Sequence, residues 1–174
     1  MAADAMVEHE CVRAAWEGCR VLDRGASEAE YRLVRQHVRL AAAVHGVQEL
    51  RRATVFLIGV VVAGLTAGLD RGARAARLDG LVALLPHAVR RLAGLELGDR
   101  TQVPMVVGVL AAATMDLDVV AWRDGFGEIS PSEGLHHHFT LWLLADLHDS
   151  LLAHPGATDT LVRTTLARRE TPLT

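Results

Sequence analysis

The sequence predicts an all-α fold: a single-domain bundle of six to seven helices with two largely apolar central helices. Apolar residues recur at helical spacing in most segments, and no stretch alternates apolar and polar residues over the length of a strand. The chain has 174 residues, which is enough for one hydrophobic core of ordinary size. We therefore expect residues 1–174 to form one helical domain.

Capping residues and apolar periodicity place the individual helices. The second is expected to begin at Ser27, with Glu30 in the capping-box position, and to break near Gly46. The sixth has Ser130 as its cap and Pro131 at its first helical position. The predicted ranges, in chain order, are 4–22, 27–44, 54–69, 78–97, 101–122, 131–154 and 158–169.

The two helices expected at the centre are the third and the fifth, because both are nearly free of charge over much of their length. The segment 54–69 has 16 uncharged residues, fewer than the roughly 20 needed to cross a bilayer. Gly59, Ala63, Gly64 and Gly68 give it a small-residue surface that another backbone can approach closely. We expect a buried helix and no membrane partner.

Composition excludes several classes of protein. Hydrophobic residues make up 51% of the chain, charged residues 22%, and the net charge is −3, so neither disorder nor a nucleic-acid partner is expected. All 18 basic residues are Arg, as is typical of GC-rich genomes such as those of actinobacteria.

The two cysteines are not expected to form a disulfide. Cys11 and Cys19 are roughly 12 Å apart along one predicted helix, too far for a disulfide. No signal peptide is visible, and a cytoplasmic location is expected.

Histidine is the residue type that suggests chemistry, since the chain has nine and lacks the familiar catalytic motifs. Projection of the helix that starts at Pro131 places His136 and Thr140 on its core face, His137 at the edge and His138 toward solvent. His136 and Thr140 would thus bring a titratable ring and a hydroxyl into an apolar cavity. The simpler alternative is a helix start with one half-buried histidine and two histidines at the surface.

A second cluster is His37, His45, Gln48 and Glu49. His45 and Glu49 are four residues apart, so they are expected one helical turn apart, where they could share a proton or a metal ion. His37 is expected on the same side as Gln48. A surface hydrogen bond between His45 and Glu49 is the simpler alternative.

Two acids complete the candidates. Asp118, near the end of the apolar helix 101–122, is expected to be partly buried beside Trp122, where an apolar surround would suit a general acid or base. A salt bridge to an Arg of another helix is the simpler alternative. Glu8 lies within an apolar stripe of the first helix and is expected to face inward, although an acid near a helix N-terminus is also favourable without any function.

These residues predict a small-molecule enzyme or binding protein with an apolar cavity between helices. The expected catalytic residues are His136, His45, Glu49 and Asp118, and the expected substrate-binding residues are His37, Thr140 and Glu8. The chemistry would be acid–base, such as an isomerase- or cyclase-type tailoring step in actinobacterial secondary metabolism, on a small apolar or amphipathic molecule. No cofactor and no bound metal are expected.

Two alternatives stay open at this point. One is a non-catalytic interaction protein, a homodimer formed through the glycine-rich helix or a flank of the last long helix. The other is a helical bundle that binds a metal through His and carboxylate groups, although it lacks the usual Glu-x-x-His pairs. The sequence does not identify the substrate, and it leaves open whether the protein is catalytic.

Overall fold

A computed structural model describes residues 7–21, 26–94 and 100–170. This part of the chain is all-α and contains no strand, which confirms the predicted class. A short 3₁₀ turn, Arg100–Gln102, precedes the fifth helix. The α-helices are α1 (His9–Arg20), α2 (Glu28–His45), α3 (Val47–Thr66), α4 (Arg71–Gly94), α5 (Val103–Thr114), α6 (Val119–Asp124), α7 (Pro131–Leu151) and α8 (Ala157–Glu170).

Local capping rules account for the start and end of α2. Ser27 accepts the backbone N–H of Glu30, and the Glu30 side chain accepts the Ser27 backbone N–H, so the predicted capping box is confirmed. The predicted break at Gly46 is also confirmed, since its φ of 93° lies outside the helical region and suits a residue without a Cβ. A new helix starts directly after it, at Val47, earlier than predicted.

The predicted helix 101–122 is divided into α5 and α6, which raises the number of α-helices in the described residues to eight. Asp116 has a φ of +57°, and Asp118 caps the new helix α6. The break lets α6 fold back on α5, with the Trp122 ring against Gly108, where a Cβ would overlap that ring. Hydrophobicity alone did not reveal this turn.

The other helix boundaries differ less from the predicted ones. α4 begins at Arg71 rather than at residue 78 and contains Pro86, and α7 ends at Leu151. The predicted outer ends of the first and fourth helices, 4–6, 22 and 95–97, lie outside the described residues. Within the described residues, none of the helices is both long and apolar enough to cross a membrane.

α3 packs against α1, α2, α5, α6, α7 and α8. Its small residues permit this close packing, because a Cβ at Gly59 would lie 2.7 Å from Val119 of α6, and one at Gly64 would lie 2.7 Å from Leu161 of α8. At these two glycines, the small-residue surface seen in the sequence therefore contacts helices of the same chain.

The two cysteines are free and fully buried in α1, as predicted. Burial, followed by the nearby carboxylates of Glu49 and Glu8, raises the pKa of the Cys11 thiol to about 11. Cys11 and Cys19 thus pack as small apolar side chains in the core.

Candidate functional site

The N-terminus of α7 directs several polar side chains into the core. Ser130 Oγ accepts the backbone N–H of Glu133 at 3.1 Å, and Pro131 stands at the first helical position, where no donor is needed. Glu133 lies one turn from His136 and His137, and all three are buried.

Glu133 forms a buried ion pair with Arg123 of α6. The guanidinium donates to both carboxylate oxygens, at 2.5 Å from Nε and 2.6 Å from Nη2. It also donates to the backbone carbonyls of Gly127 and Glu128. The buried charges of Arg123 and Glu133 thus neutralise each other, as buried ions require. The ion pair also holds the turn between α6 and α7.

His136 is buried on the core face, as predicted, together with Thr140 one turn later. Its Nδ1 donates to the backbone carbonyl of Ser132 at 2.9 Å. Its Nε2 has no hydrogen-bond partner among the described residues.

His137 is enclosed more completely than predicted, with no exposed surface. Its Nε2 lies 3.6 Å from a Glu133 oxygen, and within the described part of the chain neither ring nitrogen forms a hydrogen bond. Burial, which outweighs the opposing effect of Glu133, lowers the pKa of His137 to about 4. The ring is therefore neutral near pH 7.

The predicted exposure of His138 is wrong. The ring is partly buried against Gly18 of α1, and burial lowers its pKa. The projection failed because it assumed one core direction, whereas α7 packs against α1, α3, α4, α5 and α8. With neighbours on so many sides, His136 and His137 are buried and His138 is partly buried.

His45 and Glu49 are not a one-turn pair, because the break at Gly46 separates their helices. His45 is exposed at the end of α2. Glu49 accepts the backbone N–H of Glu8 at 2.8 Å and pairs with Arg52 at 2.5 Å. Glu8 itself has an exposed side chain, so the inward orientation predicted for it is also wrong.

His37 lies between two acids of α1 rather than beside Gln48. Its Nδ1 is 2.5 Å from Glu17 and its Nε2 is 2.5 Å from Glu10. Desolvation opposes protonation, but the hydrogen bonds to the two carboxylates outweigh it and raise the pKa of His37. Gln48 instead exchanges two hydrogen bonds with the backbone of Ile129. His37 thus stabilises the α1–α2 contact.

Asp118 is the cap of α6 and not the end of an apolar helix. Its Oδ1 accepts the backbone N–H groups of Val120 and Ala121, both at 3.0 Å. It is partly buried, as predicted, and it lines a groove on the surface.

This groove lies between α3, α6 and α8, with a volume of about 500 Å³, and is called here the α3–α8 groove. Most of its lining side chains are apolar. Thr165 and Arg169, one turn apart on α8, add polar groups, and the guanidinium carbon of Arg169 lies 4.5 Å from the centroid of the Phe56 ring. The lining residues are Phe56, Gly59, Val60, Ala63, Ala113, Asp116, Leu117, Asp118, Val119, Thr165 and Arg169.

A second cavity of about 770 Å³ adjoins the groove, and Asp116 and Leu117 form the shared wall. Arg74 of α4, which lines this cavity, forms an ion pair with Asp116. This ion pair links the α5–α6 connection to α4 at the surface.

The structure disperses the predicted site residues. Glu8 and Glu49 are joined by a hydrogen bond, and His136 and Thr140 share a buried face, whereas Asp118 alone of the predicted set lines the α3–α8 groove. Among the described residues, no group of three or more His, Cys, Asp or Glu side chains is placed to hold a metal ion.

Sequence reasoning missed two sets of residues. Arg123 and Glu133 were not considered together, because Glu133 fits the third position of a helix start without any partner. Thr165 and Arg169 were missed although their four-residue spacing places them on one face of α8.

Comparisons with protein-family models, curated proteins and solved structures found no match.

Proposed function

We propose that the chain binds a small amphipathic molecule in the α3–α8 groove. Its volume of about 500 Å³ lies within the range of roughly 300–1,000 Å³ that is usual for small-molecule sites. Apolar walls with a few polar groups, here Asp116, Asp118, Thr165 and Arg169, are also usual for such sites. This groove is the observation that carries the proposal.

We propose binding at this groove without acid–base catalysis. The imidazoles of His136 and His137 are enclosed by protein and line neither the α3–α8 groove nor the cavity beside it. Asp118 lines the groove, but its Oδ1 already holds the first turn of α6. The groove therefore provides an apolar surface and a few polar contacts for a ligand.

Two adjacent threonines of α8 provide a matched test. Thr165 lines the groove, while Thr164 is exposed outside it. Each hydroxyl donates to the carbonyl four residues earlier, at 2.9 and 2.8 Å. We expect Thr165→Phe to fill the groove and to weaken binding of the neutral dye Nile red by at least about tenfold, since a bulky ring occupies the ligand volume.

The Thr164→Phe protein is the control, with an expected change below about twofold. Fluorescence titration gives both affinities, and thermal unfolding shows whether each variant is folded. Equal affinities of the two folded variants, or no dye binding by the native protein, would refute the proposed site.

The interaction-protein alternative is favoured by one observation on α2. Leu33, Leu40 and Val44 lie on one face of the helix and are 67%, 61% and 66% exposed. Antiparallel packing of α2 from two copies would place Leu33 of each copy against Leu40 of the other, as an interface with twofold symmetry requires. A second copy of the chain is therefore the partner we propose for this face.

Sedimentation velocity over a hundredfold range of concentration tests this self-association. We expect a monomer–dimer equilibrium that Leu40→Gln shifts toward monomer, because the substitution removes apolar area from the centre of the contact. Leu152→Gln, at an equally exposed leucine elsewhere, should leave the equilibrium unchanged. A native chain that stays monomeric throughout excludes this alternative.

A further inference from the structure

The α8 side of the α3–α8 groove carries a cation held against an aromatic ring. The guanidinium carbon of Arg169 lies 4.5 Å from the centroid of the Phe56 ring. A guanidinium that stacks on a ring uses its flat face, while its N–H groups point outward in the plane and can still donate. Stacking also restricts the rotamers of the arginine before any ligand arrives, so less entropy is lost on binding.

The acids of the groove have other partners. Asp116 forms an ion pair with Arg74 of α4, and Asp118 accepts the first backbone N–H groups of α6. Within the described residues, Arg169 has no acidic side chain within ion-pair distance. The groove thus has a positive charge on α8 that the described residues of the chain do not neutralise, next to apolar walls.

We infer that the ligand of this groove is a monocarboxylate with an aliphatic or aromatic body. The two oxygens of a carboxylate match the two parallel N–H groups of a guanidinium. Its apolar body would lie against Phe56, Val60 and Val119, which line the groove. This inference rests on the proposed function and adds the chemical class of the ligand.

Three probes with the same ten-carbon chain separate the head group from the tail. Decanoate, decanol and decyltrimethylammonium are each titrated, below their aggregation concentrations, against native protein with Nile red bound. We expect decanoate to displace the dye at a concentration about tenfold lower than decanol does, and the cation to be the weakest of the three.

Arg169 and its neighbour Arg168 form a matched pair of variants, since both are exposed but only Arg169 lines the groove. Arg169→Gln should abolish the preference for decanoate while decanol still binds, and Arg168→Gln should preserve the preference. Arg169→Lys should restore part of it, because an ammonium keeps the charge but loses the paired N–H geometry.

The outcomes distinguish this inference from the proposed function. If all three probes displace the dye equally and Thr165→Phe abolishes binding, the groove is a binding site and the carboxylate class is wrong. The same holds if both arginine variants keep the preference. If the native protein binds neither the dye nor any probe, the proposed function and the inference are both wrong.

Discussion

Replacing Glu133 by glutamine is expected to lower the free energy of unfolding by about 3–5 kcal/mol, the usual cost of breaking a buried ion pair. The Arg123 guanidinium is almost fully enclosed, so without the carboxylate its charge stays in a medium of low polarity. The neutral amide of glutamine keeps the size of the side chain but not its charge. Urea denaturation at pH 7 measures the difference.

Glu128 provides the control for this prediction. It is exposed and only five residues away, and its backbone carbonyl, not its side chain, bonds to Arg123. Glu128→Gln should change stability by less than about 0.5 kcal/mol, as is usual at the surface. The double variant Arg123→Met, Glu133→Leu should be more stable than Glu133→Gln alone, because it buries no charge. A Glu133→Gln protein as stable as the Glu128→Gln protein would contradict this account of the pair.

Acid is expected to destabilise the fold through His137. Burial lowers the pKa of His137 in the native state from its ordinary 6.5 to about 4, so below pH 6.5 the unfolded chain takes up a proton that the native chain does not. The contribution of His137 to the free energy of unfolding is therefore fully present above pH 6.5 and is lost as the pH falls toward 4. The loss over that interval is about 3 kcal/mol.

The comparison that isolates His137 is between the native protein and His137→Leu, with urea denaturation at intervals from pH 7.5 to 4. The variant should lose less stability in acid, and His154→Leu, at an exposed histidine, should follow the native curve. Burial also lowers the pKa values of His138 and His148, so part of the acid sensitivity will persist. Identical slopes for the native protein and His137→Leu would show that His137 does not carry the effect.

His37 acts in the opposite direction and in another pH range. Since Glu17 and Glu10 raise its pKa in the native state, its contribution is complete below pH 6.5 and is lost as the pH rises through the native value. His37→Gln should therefore alter the neutral-to-alkaline part of the stability curve, which His137→Leu leaves unchanged.

Features set by neighbouring residues in the chain could be predicted, and features set by distant ones could not. The capping box of Ser27 and Glu30 and the start of α7 follow from side chains bonding to nearby backbone, so the sequence alone indicates them. The break before Asp118 was missed because the segment is uniformly apolar up to the turn. A helix end is recognised where the apolar periodicity stops, and a uniformly apolar segment has no such periodicity.

The candidate site was harder to predict for the same reason. His136 was correctly placed in the core, because the capping residues mark where its helix begins and the helical periodicity can be counted from that position. The partners of His37 are on α1, 20 and 27 residues away, and only tertiary packing determines them. The α3–α8 groove joins three helices distant in the chain, so its polar residues had no common signal in the sequence.

The close contacts of α3 and α5 also limit how this chain can diverge. Gly59, Gly64 and Gly108 have no room for even a methyl group unless the facing side chain moves. A larger residue there is tolerated only if the opposite position becomes smaller, so the two substitutions are not independent. Among relatives of this chain, three pairs of positions should covary as a result: 59 with 119, 64 with 161, and 108 with 122.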